Sequence, residues 1–122
     1  MFMNNRLLKI NAEIQKYISE IFTYEIKNPN INGIITVTRV DTTNDLSLSK
    51  VYVSVYCPQG DKYEVFKQIQ HSAGYIRKTV CEKLNIRKMP FLEFILDESL
   101  DYSEHINSVI NELKKEDENE NN

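Results

Sequence analysis

The segment from Asp61 to Leu96 constrains the fold of this 122-residue chain more than any other. Val65, Phe66, Ile69 and Ala73 fall at i, i+1, i+4 and i+8, the spacing of one helix face. Ile76, Val80 and Leu84 then recur every four residues, flanked by Tyr75 and Cys81, and Ser72-Ala73-Gly74 joins the two series. A glycine inside a helix costs about 1 kcal/mol relative to alanine. Gly74 is either a tolerated lapse, a spot where a neighbour packs close, or a bend. A bend would aim the exposed amides at the start of the second helix toward a partner. Pro90 then leads into an apolar strand, Phe91-Leu92-Glu93-Phe94-Ile95-Leu96.

Charge is unevenly spread along this segment. Between Gly74 and Lys88 there are five cations (Arg77, Lys78, Lys83, Arg87, Lys88) and one anion, Glu82, in a chain whose net charge is −3. Arg77 and Lys78 fall off the apolar face near the bend, and Arg87 and Lys88 in the loop before Pro90. Such a run is either a solvated helix face or a site for a phosphate backbone. The overall acidity misleads, because Glu116, Asp117, Glu118 and Glu120 belong to the terminal segment. Residues 1–115 carry 15 Lys and Arg against 14 Asp and Glu, which is close to neutral.

The preceding residues read as a platform. Leu7, Ile10, Ile14, Tyr17, Ile18, Ile21 and Phe22 keep a 3-and-4 spacing that predicts a long amphipathic helix over residues 3–26. Arg6, Lys9 and Lys16 lie mostly off that face, as a solvated surface or a second basic contact. Asn28-Pro29-Asn30 ends the helix. Ile34 to Val40 is β-branched and alternating, with Ile35, Val37 and Arg39 assigned to one face and Ile34, Thr36, Thr38 and Val40 to the other. Asn44-Asp45 supplies turn chemistry before a second strand from Leu48 to Cys57, so the two strands form an antiparallel hairpin. Tyr52 and Tyr56 on one strand face either stack bases or pack beneath a helix. Asp61 is the expected N-cap of the following helix. Ile106, Val109, Ile110 and Leu113 predict a last helix over residues 102–113, and residues 114–122 form an acidic tail with nothing to bury, expected to be disordered.

The resulting order is helix, strand, strand, helix, kinked helix, strand, helix. That is an α+β chain with a three-stranded sheet and helices on one face, in two layers. The length suits one domain with a real core, here residues 1–113. No apolar run approaches the roughly 20 residues of a membrane span, and Asn4, Asn5, Arg6 and Lys9 interrupt any secretory signal. Cys57 and Cys81 have no metal-ligand spacing and are expected as buried free thiols of a reducing cytosol. His71 and His105 stand 34 residues apart without ligand partners, and there is no phosphate loop, nucleophile elbow or zinc motif. Neither catalysis nor a cofactor is expected.

This order resembles the bacterial-type (type II) KH domain, with a departure: the Gly-x-x-Gly loop is replaced by Ser72-Ala73-Gly74. The kink is followed by Tyr75-Ile76-Arg77-Lys78, then by Leu84-Asn85-Ile86-Arg87-Lys88-Met89-Pro90-Phe91-Leu92-Glu93-Phe94. Arg6, Asn28-Pro29, Thr36-Val37-Thr38-Arg39-Val40, Asp45-Leu46-Ser47, Lys50 to Val55 and Asp97 keep order and spacing with these. Together, over residues 6 to 110, they are similar to the ribosome-binding factor A family. Members often carry alanine where Ser72 stands and Pro-Glu-Leu where this chain has Pro90-Phe91-Leu92.

The resemblance implies a cytoplasmic, monomeric assembly factor that binds free or immature small ribosomal subunits and their ribosomal RNA. It would assist RNA processing, leave before translation and support growth in the cold. Joined to the charge pattern, it makes Arg77, Lys78, Arg87 and Lys88 candidate phosphate contacts, with Arg6, Lys9 and Arg39 secondary. The Ser72, Ala73 and Gly74 kink would set their geometry, a bulkier residue at Gly74 straining the bend. A general KH-like RNA regulator and a protein-interaction module are the alternative readings.

Overall fold

The computed structural model describes residues 5–25, 31 and 33–99. The expected helix over residues 102–113 and the acidic tail lie outside the described residues. Helix α1 (Asn5–Glu20) continues into a π-helical turn over Ile21–Glu25. Strands β1 (Ile34–Thr42) and β2 (Leu48–Tyr56) follow, then helices α2 (Lys62–His71) and α3 (Ala73–Leu84), then strand β3 (Phe91–Leu96).

The sheet order is β1-β2-β3, with β1 antiparallel and β3 parallel to the central strand. A parallel neighbour needs a crossover, and α2 and α3 provide it. The described helices share one core with one face of the sheet. Ile14, Ile18, Ile69, Ile76, Val80, Val51 and Val53 are completely buried there, beside Val37, Val40, Val55, Val65 and Phe94. The π-helical turn keeps Ile21 buried, and Phe22 meets the Phe94 ring edge-on at a centroid distance of 6.3 Å.

Strand β1 departs from simple alternation. The register pairs Val37 with Val53 but Arg39 with Tyr52, so a β-bulge falls at Thr38. The extra residue puts both Val37 and Val40 into the core, three positions apart. It also corrects the expected faces: Arg39 does not share a side with Val37 but lies with Tyr52 on the face turned away from the described helices. Tyr52 and Tyr56 point to that same outer face, so neither packs beneath one of the described helices.

The hairpin turn is built around Asp45. Its carboxylate accepts from the Thr43 hydroxyl at 2.7 Å and from the Ser47 hydroxyl and amide at 2.7 and 3.1 Å. Leu46 takes the left-handed conformation there, at φ 60°. Asp61 caps α2 as expected, accepting from the Tyr63 amide at 2.9 Å. Cys57 and Cys81 are unbridged thiols, half-buried rather than buried. Among the described residues no helix is long and apolar enough to cross a membrane, and no group of three or more His, Cys, Asp or Glu could hold a metal ion.

Candidate nucleic-acid interface

The break between α2 and α3 is made at Ser72. Its amide donates to the Gln68 and Ile69 carbonyls, and its hydroxyl donates to the Gln68 carbonyl at 3.0 Å. Its own carbonyl accepts from the Ile76 amide at 2.9 Å and so begins α3. The hydroxyl is thus engaged backwards, and α3 starts without a side-chain cap. Gly74 follows in the first turn of α3, exposed. A Cβ placed there meets nothing within 4 Å among the described residues outside its own helix backbone and chain neighbours, and its φ is not positive. The expected strain from a bulkier residue is therefore absent from the bend itself. A cleft of about 240 Å³ opens beside the kink, lined by Gln70, Ala73, Leu92, Glu93 and Phe94.

At its other end α3 stops on Asn85, left-handed at φ 52°, whose amide donates to the Cys81 carbonyl. This αL cap reverses the chain. The loop runs back along the helix until its backbone reaches Arg77, in the second turn of α3. There the guanidinium donates from Nη2 to the Met89 carbonyl at 2.6 Å and from Nε to the Pro90 carbonyl at 3.0 Å. The next amide, of Phe91, donates to the Ser47 carbonyl at 3.0 Å and ties the loop to the hairpin turn. Met89 and Pro90 are buried, while Arg87 and Lys88 project into solvent. Neither of these two cations is ion-paired within 4 Å to a described residue. Lys88 lies near enough to Asp45 to favour its ionised form, though the Thr43 and Ser47 hydrogen bonds contribute more to lowering that carboxyl to about 2.

The predicted site residues thus separate by role. Arg77 is half-buried and committed to backbone carbonyls. Lys78 is exposed on α3, and Arg87 and Lys88 form the exposed tip of the loop that Arg77 holds. Arg6 and Lys9 are exposed on α1. Arg39 is not brought to this group. It stacks over the Tyr52 ring at 4.2 Å on the outer face and pairs with Asp41 at 3.0 Å, and the Tyr52 and Asp41 contacts raise its pKa further. Beside it, Thr38, Tyr52, Asp97 and Ser99 line a second cleft of about 370 Å³. Asp97 accepts there from the Ser99 and Thr38 hydroxyls at 2.6 Å each, which lowers its pKa. Two features were missed in the sequence: the reversal at Asn85, signalled by an asparagine just past the last periodic apolar residue, and the exposure of the Phe91 ring, whose signal was an aromatic where family members often carry glutamate.

Among the described residues, a sheet flanked by one helical layer, with two helices broken at a short kink and leading into a parallel edge strand, defines a KH-like α+β domain. The family model for ribosome-binding factor A matches residues 6–110. This chain belongs to the ribosome-binding factor A family. A ribosome-binding factor A from Clostridium novyi is 38% identical over 116 residues, covering 95% of this chain and 96% of that one. The crystal structure of ribosome-binding factor A from Thermus thermophilus superposes with a TM-score of 0.64 at 18% identity, over 74% of this chain and 94% of that one. Thermus thermophilus ribosome-binding factor A coordinates fitted into a cryo-EM map of a 30S–RbfA complex give a TM-score of 0.60 at 18% identity, over 72% and 91%.

Proposed function

We propose that this chain is a cytoplasmic, monomeric assembly factor for the small ribosomal subunit, holding immature small-subunit RNA through the α3 face and the loop that follows it. The observation that carries the reading is the loop itself. Arg87 and Lys88 are two exposed cations without an ion pair within 4 Å to a described residue, on a backbone fixed at three points: the Asn85 cap, the Arg77 bonds and the Phe91–Ser47 bond. Long flexible cations lose entropy on binding, and a fixed backbone reduces that cost. Phosphate contacts give affinity and register, while the shape of the folded RNA selects the site. The 30S complex of the Thermus thermophilus protein supports the small subunit as partner. Assistance in RNA processing, departure before translation and a role in cold growth extend the reading by family membership. Ordered binding to RNA asks for no catalytic group.

The test is binding to isolated small subunits across a salt series, beside complete ribosomes and a short unstructured RNA. Selective, salt-sensitive binding to free small subunits is expected. Arg87→Gln with Lys88→Gln should flatten the slope of log K against log salt by about 1.4–1.8, the release expected for two phosphates. An unchanged slope would remove these residues from the interface. Equal binding to every RNA would leave a general RNA binder, and no binding would point to a protein partner.

A further inference from the structure

Phe91 is the first residue of β3 and is 66% exposed, although the residues before it, Met89 and Pro90, are buried. A single exposed apolar side chain is ordinary. Three things set this one apart. The Arg77 guanidinium lies over the ring, 4.5 Å from its centroid. That guanidinium is immobilised by the Met89 and Pro90 carbonyls, and the Phe91 amide is held by the Ser47 carbonyl. The ring also follows directly on the loop that presents Arg87 and Lys88. A cation covers part of the ring and the remainder is exposed to water.

We propose that Phe91 is a stacking platform for one unpaired base of the bound RNA, with Arg87 and Lys88 on the adjoining phosphates. Proteins that hold single-stranded segments combine cations that follow the backbone with aromatic faces on which bases stack. Stacking tolerates any base, so the platform selects an unpaired nucleotide rather than a sequence. Arg77 supports it as a positioning residue, holding both the loop and the ring. The proposal rests on the RNA-binding reading above.

The chain contains no tryptophan, so Phe91→Trp installs a single fluorescent reporter at the platform. On addition of isolated small subunits its emission should be quenched and its accessibility to acrylamide should fall. Phe91→Leu keeps an apolar side chain but removes the π face. It should weaken binding about 5- to 150-fold, the range for losing one base–aromatic stack, with the salt slope unchanged because no charge is removed. Wild-type affinity for Phe91→Leu, or emission from Phe91→Trp that ignores the subunit, would overturn the platform and leave the phosphate contacts standing. Failure of the wild-type protein to bind small subunits would overturn both. A thermal melt of Phe91→Leu separates lost stacking from lost fold, and if that variant unfolds the tryptophan signal decides.

Discussion

Nη2 of Arg77 lies 2.6 Å from the carbonyl oxygen of Met89, across a separation of 12 residues. The contact makes a predicted RNA ligand into a brace for the loop that carries two others. Hydrogen bonds from a charged donor contribute about 1.5–3 kcal/mol each, and buried carbonyls left without partners cost a similar amount. Arg77→Met should therefore lower stability by about 2–4 kcal/mol in urea unfolding. Arg77→Lys should recover less than half of this, because an ammonium cannot reach two carbonyls with a planar fork. Arg77→Met should also weaken small-subunit binding, through disorder of the Arg87–Lys88 loop. A stability equal to wild type would show that the loop holds itself.

A second prediction concerns Gly33. It sits at φ 90°, and a Cβ there would come within 2.4 Å of the Tyr56 carbonyl oxygen. That oxygen is backbone of the central strand and cannot swing aside. Gly33→Ala should cost about 1–3 kcal/mol and lower the melting temperature by several degrees, and a neutral effect would mean that the start of β1 moves freely.

Much of this architecture is legible in residue spacing, for reasons particular residues make plain. Val51, Val53 and Val55 of the central strand β2 alternate onto the core face, and Ile14 and Ile18 share one helix face, so period predicts burial there. Spacing fails at Thr38, where a bulge moves Arg39 to the other face: a bulge is decided by pairing with β2, which no local pattern contains. The basic loop divides similarly. Its charge is visible in the sequence, but the commitment of Arg77 depends on Asn85 turning the chain back, a three-dimensional closure. The three residues Ser72-Ala73-Gly74 marked the break correctly, yet the hydrogen bonds that make it belong to Ser72, and the open space belongs to Gly74.

Acid should loosen the hairpin turn first. Asp45 is lowered to about 2, chiefly by the Thr43 hydroxyl and then by Ser47. A carboxyl with a folded pKa below its unfolded value of about 3.9 adds stability above the unfolded value, and that contribution fades as pH falls through the folded one. For Asp45 the loss runs from about pH 4 to about pH 2, and Asp97, lowered by Ser99 and Thr38, acts in the same direction. Thr43→Val should move the Asp45 carboxyl upward in an NMR titration. A carboxyl still near 2 in that variant would assign the shift to Ser47 alone.

Gly74 separates stability from binding. Among the described residues, nothing outside its own helix backbone and chain neighbours lies within 4 Å of where its Cβ would be, and α3 would gain up to about 1 kcal/mol of helix propensity from alanine. Gly74→Ala should therefore melt at or above the wild-type temperature. If the RNA backbone crosses the start of α3 closely, the added methyl should meet it and weaken small-subunit binding, with the salt slope retained because Arg87 and Lys88 still reach their phosphates. Paired melting and binding curves check both halves. A stabilised variant that binds as the wild type does would place the RNA away from the kink and confine the interface to the loop beyond Asn85.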